Sequence, residues 1–347
     1  MYCHMRTSTL TPILMILSFC KISLAQTEHT LIHQGITRSY ILSYPENIED
    51  SCPLIINMHG FGGNGSNQSN YSLMDEYALP QGVAVAYPDG LISSWNVGTF
   101  WDSNPFDDID FISSLIDTIA TDYNIDLDRV YATGMSNGGY MAYELSCELS
   151  HKIAAFGSVT GNFMLNENQI CNNQKETPII HFHGTEDAVV DYYPPSFDGS
   201  LTPMEAMEFW KDINKFDLTQ VDTLSGNTNE LSAHKYEYFR LGSDVKLVHY
   251  MIIGGGHDWF GSPYVSPSVV NASEILVEFF LEYNLQDLPC LEPNGDINED
   301  GYVDMSDYIF FISYIITGSN SINTCMDMNH DSNFNIIDIL MVIDSIL

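Results

Sequence analysis

Positively charged residues are scarce in this sequence. Its 347 residues include 11 Lys and Arg against 46 Asp and Glu, which gives a formal net charge of -35 at pH 7. A surface with this charge repels nucleic acid phosphates and anionic lipid headgroups, so nucleic acids and anionic membranes are excluded as natural partners. Neutral polymers, cations and Ca²⁺ remain compatible with it. Solubility or a salty habitat explains the charge equally well.

A membrane-spanning run of apolar residues is missing from the N-terminal region. The apolar run at 10–19 is too short to cross a bilayer. It precedes Ser23-Leu24-Ala25, which offers small residues for signal cleavage, so we expect residues 1–25 to be an export signal and the mature chain to be secreted. Leu17-Ser18-Phe19-Cys20 weakly matches a lipoprotein site, although Phe19 is bulky where a small residue is needed. Lipidation of Cys20 therefore stays open.

Cysteine is sparse as well, with five residues after the predicted signal. An exported chain permits disulfides. Cys147 and Cys171 flank a predicted strand, while Cys290 and Cys325 both lie in the C-terminal segment. These two pairs are disulfide candidates, and Cys52 is left as a buried thiol at the start of a strand.

The most informative stretch is residues 129–141, Arg-Val-Tyr-Ala-Thr-Gly-Met-Ser-Asn-Gly-Gly-Tyr-Met. A β-branched and aromatic run stops at Gly134, and a helix-compatible segment begins after Ser136, which predicts a strand, a sharp turn and a helix. Glycines on both flanks let strand and helix approach closely and leave the serine oxygen clear of the sheet. Alone the pattern is weak, since chance supplies it on the order of once in ten chains of this length.

The rest of the chain alternates strands with helices. Apolar runs predict strands at 37–43, 52–58, 82–88, 153–159, 177–182 and 246–253. Helical spacing of apolar residues predicts helices at 107–123, 203–215 and 272–283. The run at 52–58 is almost continuously apolar, as in a strand buried on both faces. This order predicts an α/β fold with a mainly parallel sheet, whose active residues lie at the carboxyl ends of strands.

Ser136, Asp187 and His257 follow one another in the nucleophile, acid and base order of α/β-hydrolases. A serine hydroxyl needs a base to take its proton, and the base needs a carboxylate to hold its tautomer. Asp187 follows its strand by the shortest complete turn, which favours it as the acid. Three other acidic residues are rivals for that role, Glu186, Asp191 and Asp258.

The choice of histidine rests on backbone freedom. His257 follows three glycines and can reach towards the serine. His59, His181 and His183 lie in or at the ends of predicted strands, where structural hydrogen bonding is expected of them.

A glycine-rich loop follows the strand at 52–58. Residues 59–65 read His-Gly-Phe-Gly-Gly-Asn-Gly, and in α/β-hydrolases this place supplies one oxyanion donor while the residue after the nucleophile supplies the other. We expect the donors to be the backbone amides of Phe61 and Asn137. A flexible loop with a structural histidine is the alternative.

Aromatic side chains are the candidates for substrate contacts. Trp95, Phe100, Trp101 and Phe106 share one loop, and Trp259 follows the predicted base. Trp95, Trp101 and Trp259 are our candidates for lining an acyl or sugar subsite. Aromatic residues of this kind also pack long loops, so both readings stay open for the first loop.

Five motifs carry a family resemblance. They are Tyr-Pro-Asp-Gly at 87–90, Asp-Asp at 107–108, the stretch at 129–139, His-Gly-Thr-x-Asp at 183–187 and Gly-Gly-Gly-His-x-Trp at 254–259. In this order they resemble the secreted esterase family of poly(3-hydroxybutyrate) depolymerases and feruloyl or acetyl xylan esterases. The resemblance covers about residues 36–285 and implies an α/β-hydrolase fold.

The resemblance also implies roles and leaves one question. It implies Ser136 as nucleophile, Asp187 and His257 as its partners, Phe61 at the oxyanion position, and a bridge between Cys147 and Cys171. Some positions depart from the family: Phe61 stands where many relatives have cysteine, Phe260 replaces a common proline, and the loop at 95–106 lacks the cysteines of some members. These departures leave the catalytic positions intact and lie where the substrate would be selected.

The C-terminal segment repeats a calcium-loop pattern. Oxygen-bearing residues recur at the ligand positions of two twelve-residue loops, which are Asp296, Asn298, Asp300, Tyr302 (through its carbonyl), Asp304 and Asp307, and then Asp327, Asn329, Asp331, Asn333, Asn335 and Asp338. Each loop precedes an apolar helix, which resembles the duplicated loop and helix of a dockerin domain. The resemblance implies two Ca²⁺ ions and a cohesin partner on a scaffold protein. A solvated acidic tail is the alternative.

Two further expectations concern the dockerin-like helices. Their apolar residues, Tyr308, Ile309, Phe311, Ile312, Ile315, Ile339, Leu340 and Ile343, should pack together. Positions 10 and 11 of the loops, Met305-Ser306 and Ile336-Ile337, fall where dockerins present partner-recognition residues.

The combined prediction is a secreted serine carboxylic ester hydrolase that needs no cofactor for catalysis. We expect a signal at 1–25, an esterase domain at 26–286 and a dockerin-like domain at 287–347. Its substrate would be a feruloyl or acetyl ester on plant or algal polysaccharide. The alternatives are a poly(3-hydroxybutyrate) depolymerase or oligomer hydrolase, and a non-catalytic cohesin-docking or carbohydrate-binding protein.

Overall fold

The computed structural model describes residues 26–46, 51–165, 171, 173–291, 295–297, 303–317, 324–329 and 334–346. The predicted signal at 1–25 lies outside these residues.

Ten strands form one mixed sheet. They are β1 Gln26–His33, β2 Ile36–Ser43, β3 Cys52–Met58, β4 Ala84–Pro88, β5 Ile125–Met135, β6 Ala155–Val159, β7 Ile179–Gly184, β8 Leu218–Leu224, β9 Ala233–Phe239 and β10 Leu247–Ile252. Their order is β1-β2-β4-β3-β5-β6-β7-β10-β9-β8. The six central strands pair in parallel, and the two strands at each edge pair antiparallel.

The helices follow the expected alternation. The α-helices are α1 Gly65–Ser72, α2 Asp75–Ala78, α3 Asp108–Asp122, α4 Asn137–Glu148, α5 Pro203–Ile213, α6 Ala272–Phe280, α7 Met305–Thr317 and α8 Ile336–Ile346. Short 3-10 helices lie at Leu79–Gln81, Leu91–Ser93, Leu285–Asp287 and Thr324–Met326. In the described part of the chain, every helix is too short or too polar to cross a membrane.

Burial explains which strands could be predicted from the sequence. All residues of β3 are buried, because β4 and β5 pair with its two edges and helices cover the sheet. The six parallel strands were predicted by such apolar runs. Strands β1, β8 and β9 were not predicted, since β8, for example, is mostly exposed and reads Leu-Thr-Gln-Val-Asp-Thr-Leu.

Helices α4 and α6 cover opposite faces of the sheet. A Cβ built on Gly157 of β6 would lie 2.3 Å from Leu276 Cδ2 of α6. The next residue, Ser158, faces α4, since a Cβ on Gly139 would lie 2.6 Å from its Oγ. Successive residues of a strand point to opposite faces, so the sheet is sandwiched between the two helices.

The C-terminal segment has an apolar core of its own. Ile297, Phe311, Met326, Ile339 and Val342 are buried together there, apart from the large core around the sheet. The predicted packing of the dockerin-like helices was partly wrong. Three of the residues expected in this core are exposed, Ile309 at 64%, Ile315 at 43% and Leu340 at 58%, because each lies on the side of its helix away from the other helix.

Both predicted disulfides are present. The structure joins Cys147 to Cys171 and Cys290 to Cys325, and Cys52 is a free, buried thiol.

The segment around Cys290 is attached to the sheet-containing part of the chain. Backbone hydrogen bonds run from the Glu176 amide to the Pro289 carbonyl, 2.7 Å, and from the Leu291 amide to the Gln174 carbonyl, 2.8 Å. Cys290 thus lies in a short antiparallel pairing with residue 175 and is bonded to a cysteine of the C-terminal segment.

Candidate active site

Ser136 occupies a strained turn between β5 and α4. Its φ of 53° and ψ of -120° lie outside the regions that most residues adopt. The turn is this tight because α4 starts directly against β3: a Cβ on Gly138 would lie 2.4 Å from the Met58 carbonyl oxygen, so only glycine fits there. Although Ser136 is the residue before the helix, its hydroxyl makes no capping hydrogen bond. The hydroxyl group is therefore left to other partners.

The structure brings Asp187 and His257 together. His257 Nδ1 lies 2.8 Å from Asp187 Oδ2, and Oδ1 of the same carboxylate accepts the amides of Val189 and Val190 at 2.8 and 2.9 Å. The Asp187 side chain is fully buried and that of His257 is 18% exposed. Since a carboxylate oxygen only accepts, Nδ1 of His257 carries the proton and Nε2 faces away from the carboxylate as an acceptor.

Hydrogen bonds between the loop that carries Asp187 and the loop that carries His257 fix the two residues relative to each other. The Glu186 amide donates to the Gly255 carbonyl at 2.9 Å, and the Gly254 amide donates to Thr185 Oγ1 at 2.9 Å. A Cβ on Gly184 would lie 2.1 Å from the Gly255 carbonyl oxygen, so the loop that carries His257 rests directly on the end of β7.

The electrostatics of Asp187 favour the charged form. Burial of the carboxyl disfavours ionisation, but hydrogen bonds from the imidazoles of His183 and His257 outweigh burial and hold the pKa of Asp187 below its ordinary value. The rival acids are in other situations: Asp191 Oδ2 accepts the Phe197 amide at 2.7 Å, Glu186 is exposed, and burial raises the pKa of Asp258, which interacts with His257 through its charge. Within the described ranges, Asp187 alone among these candidates bonds to His257.

Ser136 and His257 line the same pocket, with a volume of about 250 Å³. Its other lining residues are His59, Gly60, Phe61, Gly63, Asn67, Gln68, Tyr71 and Met135. Asn67, Gln68, Tyr71 and Met135 were not predicted from the sequence to line a pocket. Three of them lie on α1, which was not predicted, and carry no motif; Met135 directly precedes the serine and could have been found from that position.

The glycine-rich loop packs against the serine. A Cβ on Gly60 would lie 3.3 Å from Ser136 Cβ. The amides of Gly62 and Gly63 are used within the protein, by the Ser93 and Gly60 carbonyls. Neither the Phe61 nor the Asn137 amide, by contrast, donates to any acceptor in the part of the chain that the structure describes.

His59 fixes the shape of that loop. Its Nε2 accepts the Gly90 amide at 2.9 Å, so its proton is on Nδ1, which donates to the Gly60 carbonyl at 2.8 Å. Burial lowers the pKa of His59 and keeps the ring neutral, as both bonds require. The prediction of a structural histidine here agrees with these contacts.

Two of the three tryptophans proposed for substrate contacts are buried, which corrects that prediction. Trp95 is 0% exposed: its backbone is held by both ends of the Asn137 amide, at 2.6 and 3.0 Å, and its indole donates to the His59 carbonyl at 2.8 Å. Trp259 is 1% exposed and donates to Ser273 Oγ at 2.9 Å. Both side chains hold loops of the site and offer no surface to a substrate.

Trp101 remains next to the pocket. Its indole donates to Asp198 Oδ2 at 3.0 Å, and Tyr140 donates to the same oxygen at 2.9 Å. The ring of Phe61, 60% exposed, meets Trp101 edge to face with ring centroids 5.7 Å apart. An exposed aromatic surface supported by partly buried hydrogen bonds to Asp198 thus borders the pocket at Phe61.

The two calcium-like loops have the same internal arrangement. Asp307 Oδ2 accepts the Asp304 amide at 2.8 Å, and Asp338 Oδ2 accepts the Asn335 amide at 2.9 Å. The described residues contain no cluster of three or more His, Cys, Asp or Glu suited to a metal ion. Five of the twelve predicted ligands lie outside the described residues, Asn298, Asp300, Tyr302, Asp331 and Asn333.

The sheet order and the position of Ser136 between β5 and α4 are those of the α/β-hydrolase fold. The site holds the serine, histidine and aspartate that a serine hydrolase would use. The phospholipase/carboxylesterase family matches residues 105–220, and the dockerin type I domain matches residues 294–347.

Three curated proteins illustrate what the chain is similar to. The bifunctional acetylxylan esterase/xylanase of Neocallimastix patriciarum is 32% identical over 159 residues, which are 46% of this chain and 23% of that protein. Feruloyl esterase B of Piromyces equi is 30% identical over 63% of this chain and 42% of its own length. The putative esterase NocK of Nocardia uniformis subsp. tsuyamanensis is 26% identical over 72% of this chain and 78% of that protein. The chain therefore spans less than half of the first two.

A solved structure agrees on the fold. The acetyl xylan esterase from Aspergillus awamori aligns with a TM-score of 0.52 at 14% identity, covering 73% of this chain and 98% of that one.

Proposed function

We propose that this chain is a secreted serine carboxylic ester hydrolase that removes feruloyl or acetyl groups from plant or algal polysaccharide. The observation that carries the proposal is His257, which is bonded to Asp187 and lines the same pocket as Ser136, whose hydroxyl makes no capping hydrogen bond. The names of the similar esterases support the substrate class.

The proposed reaction follows from the positions of the donors and acceptors. Ser136 Oγ attacks the ester carbonyl while His257 Nε2 takes its proton, and Asp187 stabilises the resulting imidazolium. The amides of Phe61 and Asn137, which lack protein acceptors among the described residues, stabilise the oxyanion. The imidazolium then protonates the leaving alcohol. Water, deprotonated by the same nitrogen, releases the acid and restores the serine.

Replacing the serine tests the assignment. Ser136→Ala should reduce kcat on p-nitrophenyl acetate by about 10⁶-fold, since losses of triad members are of that order, while far-UV circular dichroism stays unchanged. A variant that kept a tenth of the wild-type rate would exclude Ser136 as nucleophile. A wild-type chain without ester hydrolysis would favour the non-catalytic docking or carbohydrate-binding alternative.

The acyl group is the next question. The pocket offers the rings of Phe61 and Tyr71 and the side chain of Met135 beside Ser136, which favours a flat aromatic acyl group over acetyl. We therefore expect methyl ferulate to be hydrolysed with a higher kcat/KM than acetylated xylan. Hydroxybutyrate oligomers test the polyesterase alternative. Phe61→Ala should lower kcat/KM for methyl ferulate more than for p-nitrophenyl acetate, because only the larger acyl group reaches the lost ring.

The C-terminal part is proposed as a docking module at 287–347 that holds two Ca²⁺ ions and binds a cohesin, following an esterase domain at 26–286 and a cleaved signal at 1–25. The donor set supports calcium. Asp296, Asp307 and Asp338 are at most 4% exposed, and they supply the carboxylate oxygens that Ca²⁺ prefers as ligands. The sequence after Lys246 contains no Lys or Arg, and bound calcium would add positive charge to this acidic segment.

Exposed apolar residues at the recognition positions support the proposal that this segment binds a cohesin. Met305, Ile336 and Ile337 are 55%, 62% and 51% exposed. They correspond to positions 10 and 11 of the loops, but the first loop has serine at position 11. Ile336→Asp with Ile337→Asp should weaken binding to a type I cohesin in calorimetry with Ca²⁺ present, and should leave ester hydrolysis unchanged. A panel of cohesins that binds neither wild type nor variant would contradict the docking proposal.

A further inference from the structure

The buried side chain of His183 contacts Asp187, the acid of the candidate triad, from the protein interior. His183 Nε2 lies 3.0 Å from the Val190 carbonyl oxygen and 3.2 Å from Asp187 Oδ2. The Val190 amide in turn donates to Asp187 Oδ1. His183 therefore closes the turn at 187–190 from inside the protein, and it reaches the same carboxylate oxygen that holds His257.

The contacts of His183 Nε2 decide where the protons lie on His183, His181 and Tyr143. Both partners of His183 Nε2 are oxygen acceptors, so that nitrogen carries the proton, and Nδ1 of the neutral ring is then an acceptor. His181 Nε2 lies 3.3 Å from His183 Nδ1 and is its donor. His181 Nδ1 must then accept as well, and it lies 3.1 Å from the Tyr143 hydroxyl. Tyr143, His181 and His183 form a row in which every proton points towards Asp187.

Burial keeps Tyr143 and His181 of this row in one protonation state. Tyr143 is 1% exposed, and His181 and His183 are 0% exposed. Burial, with the nearby His249 and His183, holds the pKa of His181 well below its ordinary value, and burial raises the pKa of Tyr143. The tyrosine thus keeps its proton and the imidazole of His181 stays neutral.

Other titratable groups face the same region. His249 packs on His181 with ring centroids 5.2 Å apart, and its Nε2 lies 2.9 Å from the Tyr192 hydroxyl. Burial and His183 lower the pKa of His249 to about 3. Asp258, in the loop that carries His257, and Tyr140, in α4, both interact with the charge of Asp187. Of these neighbours, only His183 and His257 reach the carboxylate itself within the described residues.

We propose that His183 is a positioning residue for the triad acid, with its donor face fixed by His181 and Tyr143. The proposal rests on the proposed ester hydrolysis. His183 holds the turn at 187–190 and shares Oδ2 with His257, so it sets both the place of the carboxylate and how strongly it holds the imidazolium form of His257.

Loss of the donor has two expected effects. The turn at 187–190 loosens and Asp187 shifts with His257 still bonded to it, so the imidazole loses its alignment with Ser136. This should lower kcat by about 10- to 100-fold with little change in KM, because small misplacements of reacting groups have costs of that size. Asp187 Oδ2 also then accepts from His257 alone and holds its imidazolium more strongly. The acid limb of the kcat/KM profile should therefore move to higher pH.

Matched variants separate positioning from packing. His183→Gln places an amide nitrogen near the former Nε2 and should keep most activity, whereas His183→Asn is too short to reach Val190 and should not. His183→Phe fills the space without a donor. His249→Phe is the control: it disturbs the same buried cluster without touching Asp187, so it should lower stability and leave the acid limb in place.

The experiment measures kcat, KM and the pH profile on p-nitrophenyl acetate with the full chain, together with the far-downfield proton resonance of the His257–Asp187 bond. Loss in Asn and Phe with recovery in Gln supports the proposal. Equal activity of the Asn and Gln variants, or an acid limb that moves equally in His249→Phe, overturns it. Inactivity of the wild type would instead contradict the proposed function, so the two failures are distinguishable. If His183→Phe does not fold, the Asn and Gln pair decides.

Discussion

Arg38 and Asp108 form a buried ion pair whose disruption should be costly. Arg38 Nη2 lies 2.7 Å from Asp108 Oδ1, and the two side chains are 1% and 0% exposed. The carboxylate also accepts the Asn96 amide and the Asn104 side chain, each at 2.9 Å. The guanidinium lies 3.6 Å over the ring of Phe111. The pair therefore anchors β2 to the start of α3 and to the loop that carries Trp95.

Arg38→Met keeps much of the length of the side chain and removes its charge. The buried carboxylate is then left with neutral donors only, which should lower the free energy of unfolding by about 3–5 kcal/mol. Loss of the contact with Phe111 adds about 0.5–2 kcal/mol. Burial already raises the pKa of Asp108, and Arg38 is one of the groups that oppose this rise. In the variant the acid should protonate more readily on acidification, so the loss of stability should shrink as the pH falls.

Urea unfolding followed by tryptophan fluorescence measures the effect, and the double variant Arg38→Met with Asp108→Asn is its control. Without the carboxylate, the double variant should be at least about 1 kcal/mol more stable than Arg38→Met alone, because the uncompensated charge is gone. A single variant that loses less than about 1 kcal/mol, or a double variant no more stable than the single one, would refute this reasoning.

Three further results are expected. Because the fold lowers the pKa of Asp187, the ionised carboxylate stabilises the protein above the ordinary pKa of about 4, so the stability difference between wild type and Asp187→Asn should shrink as acid denaturation is approached; a pH-independent difference would contradict it. Replacing Cys147 and Cys171 by serine opens a bridge between positions 24 apart and should cost about 3 kcal/mol in urea, unless the reduced wild type proves equally stable. EDTA should reduce helical circular dichroism and cohesin binding of the full chain while p-nitrophenyl acetate hydrolysis persists; parallel loss of hydrolysis would argue against separate modules.

The centre of the fold was predictable because its physical signal is local. Strands such as β3 are buried on both faces, so their sequence must be apolar throughout, and the catalytic candidates follow such strands directly. The edge strands have no such requirement. Strand β8 is mostly exposed and its pairing comes from the backbone of β9, a neighbour that its own sequence does not identify.

The candidate triad residues could be predicted from the sequence, but the residues that line the pocket could not. Ser136, Asp187 and His257 were found from strand ends and glycines. Trp95 is buried because its backbone is bonded to the side-chain amide of Asn137, 42 positions away in the sequence. Composition alone does not distinguish a tryptophan that packs in the interior from one that lines a pocket. Tyr71 lines the pocket because α1, which was not predicted, lies beside the turn at Ser136.

The bond between Cys290 and Cys325 has a mechanical consequence. Because Cys290 is paired to the chain beside β7, a pull applied beyond Cys325 reaches the sheet-containing part of the chain directly through the disulfide. Residues 291–324, which include the first loop and α7, lie inside the covalent ring that this disulfide closes, so a force applied to α8 does not stretch them. Whenever load reaches the chain through α8, the disulfide keeps that force from unravelling the first loop and its helix.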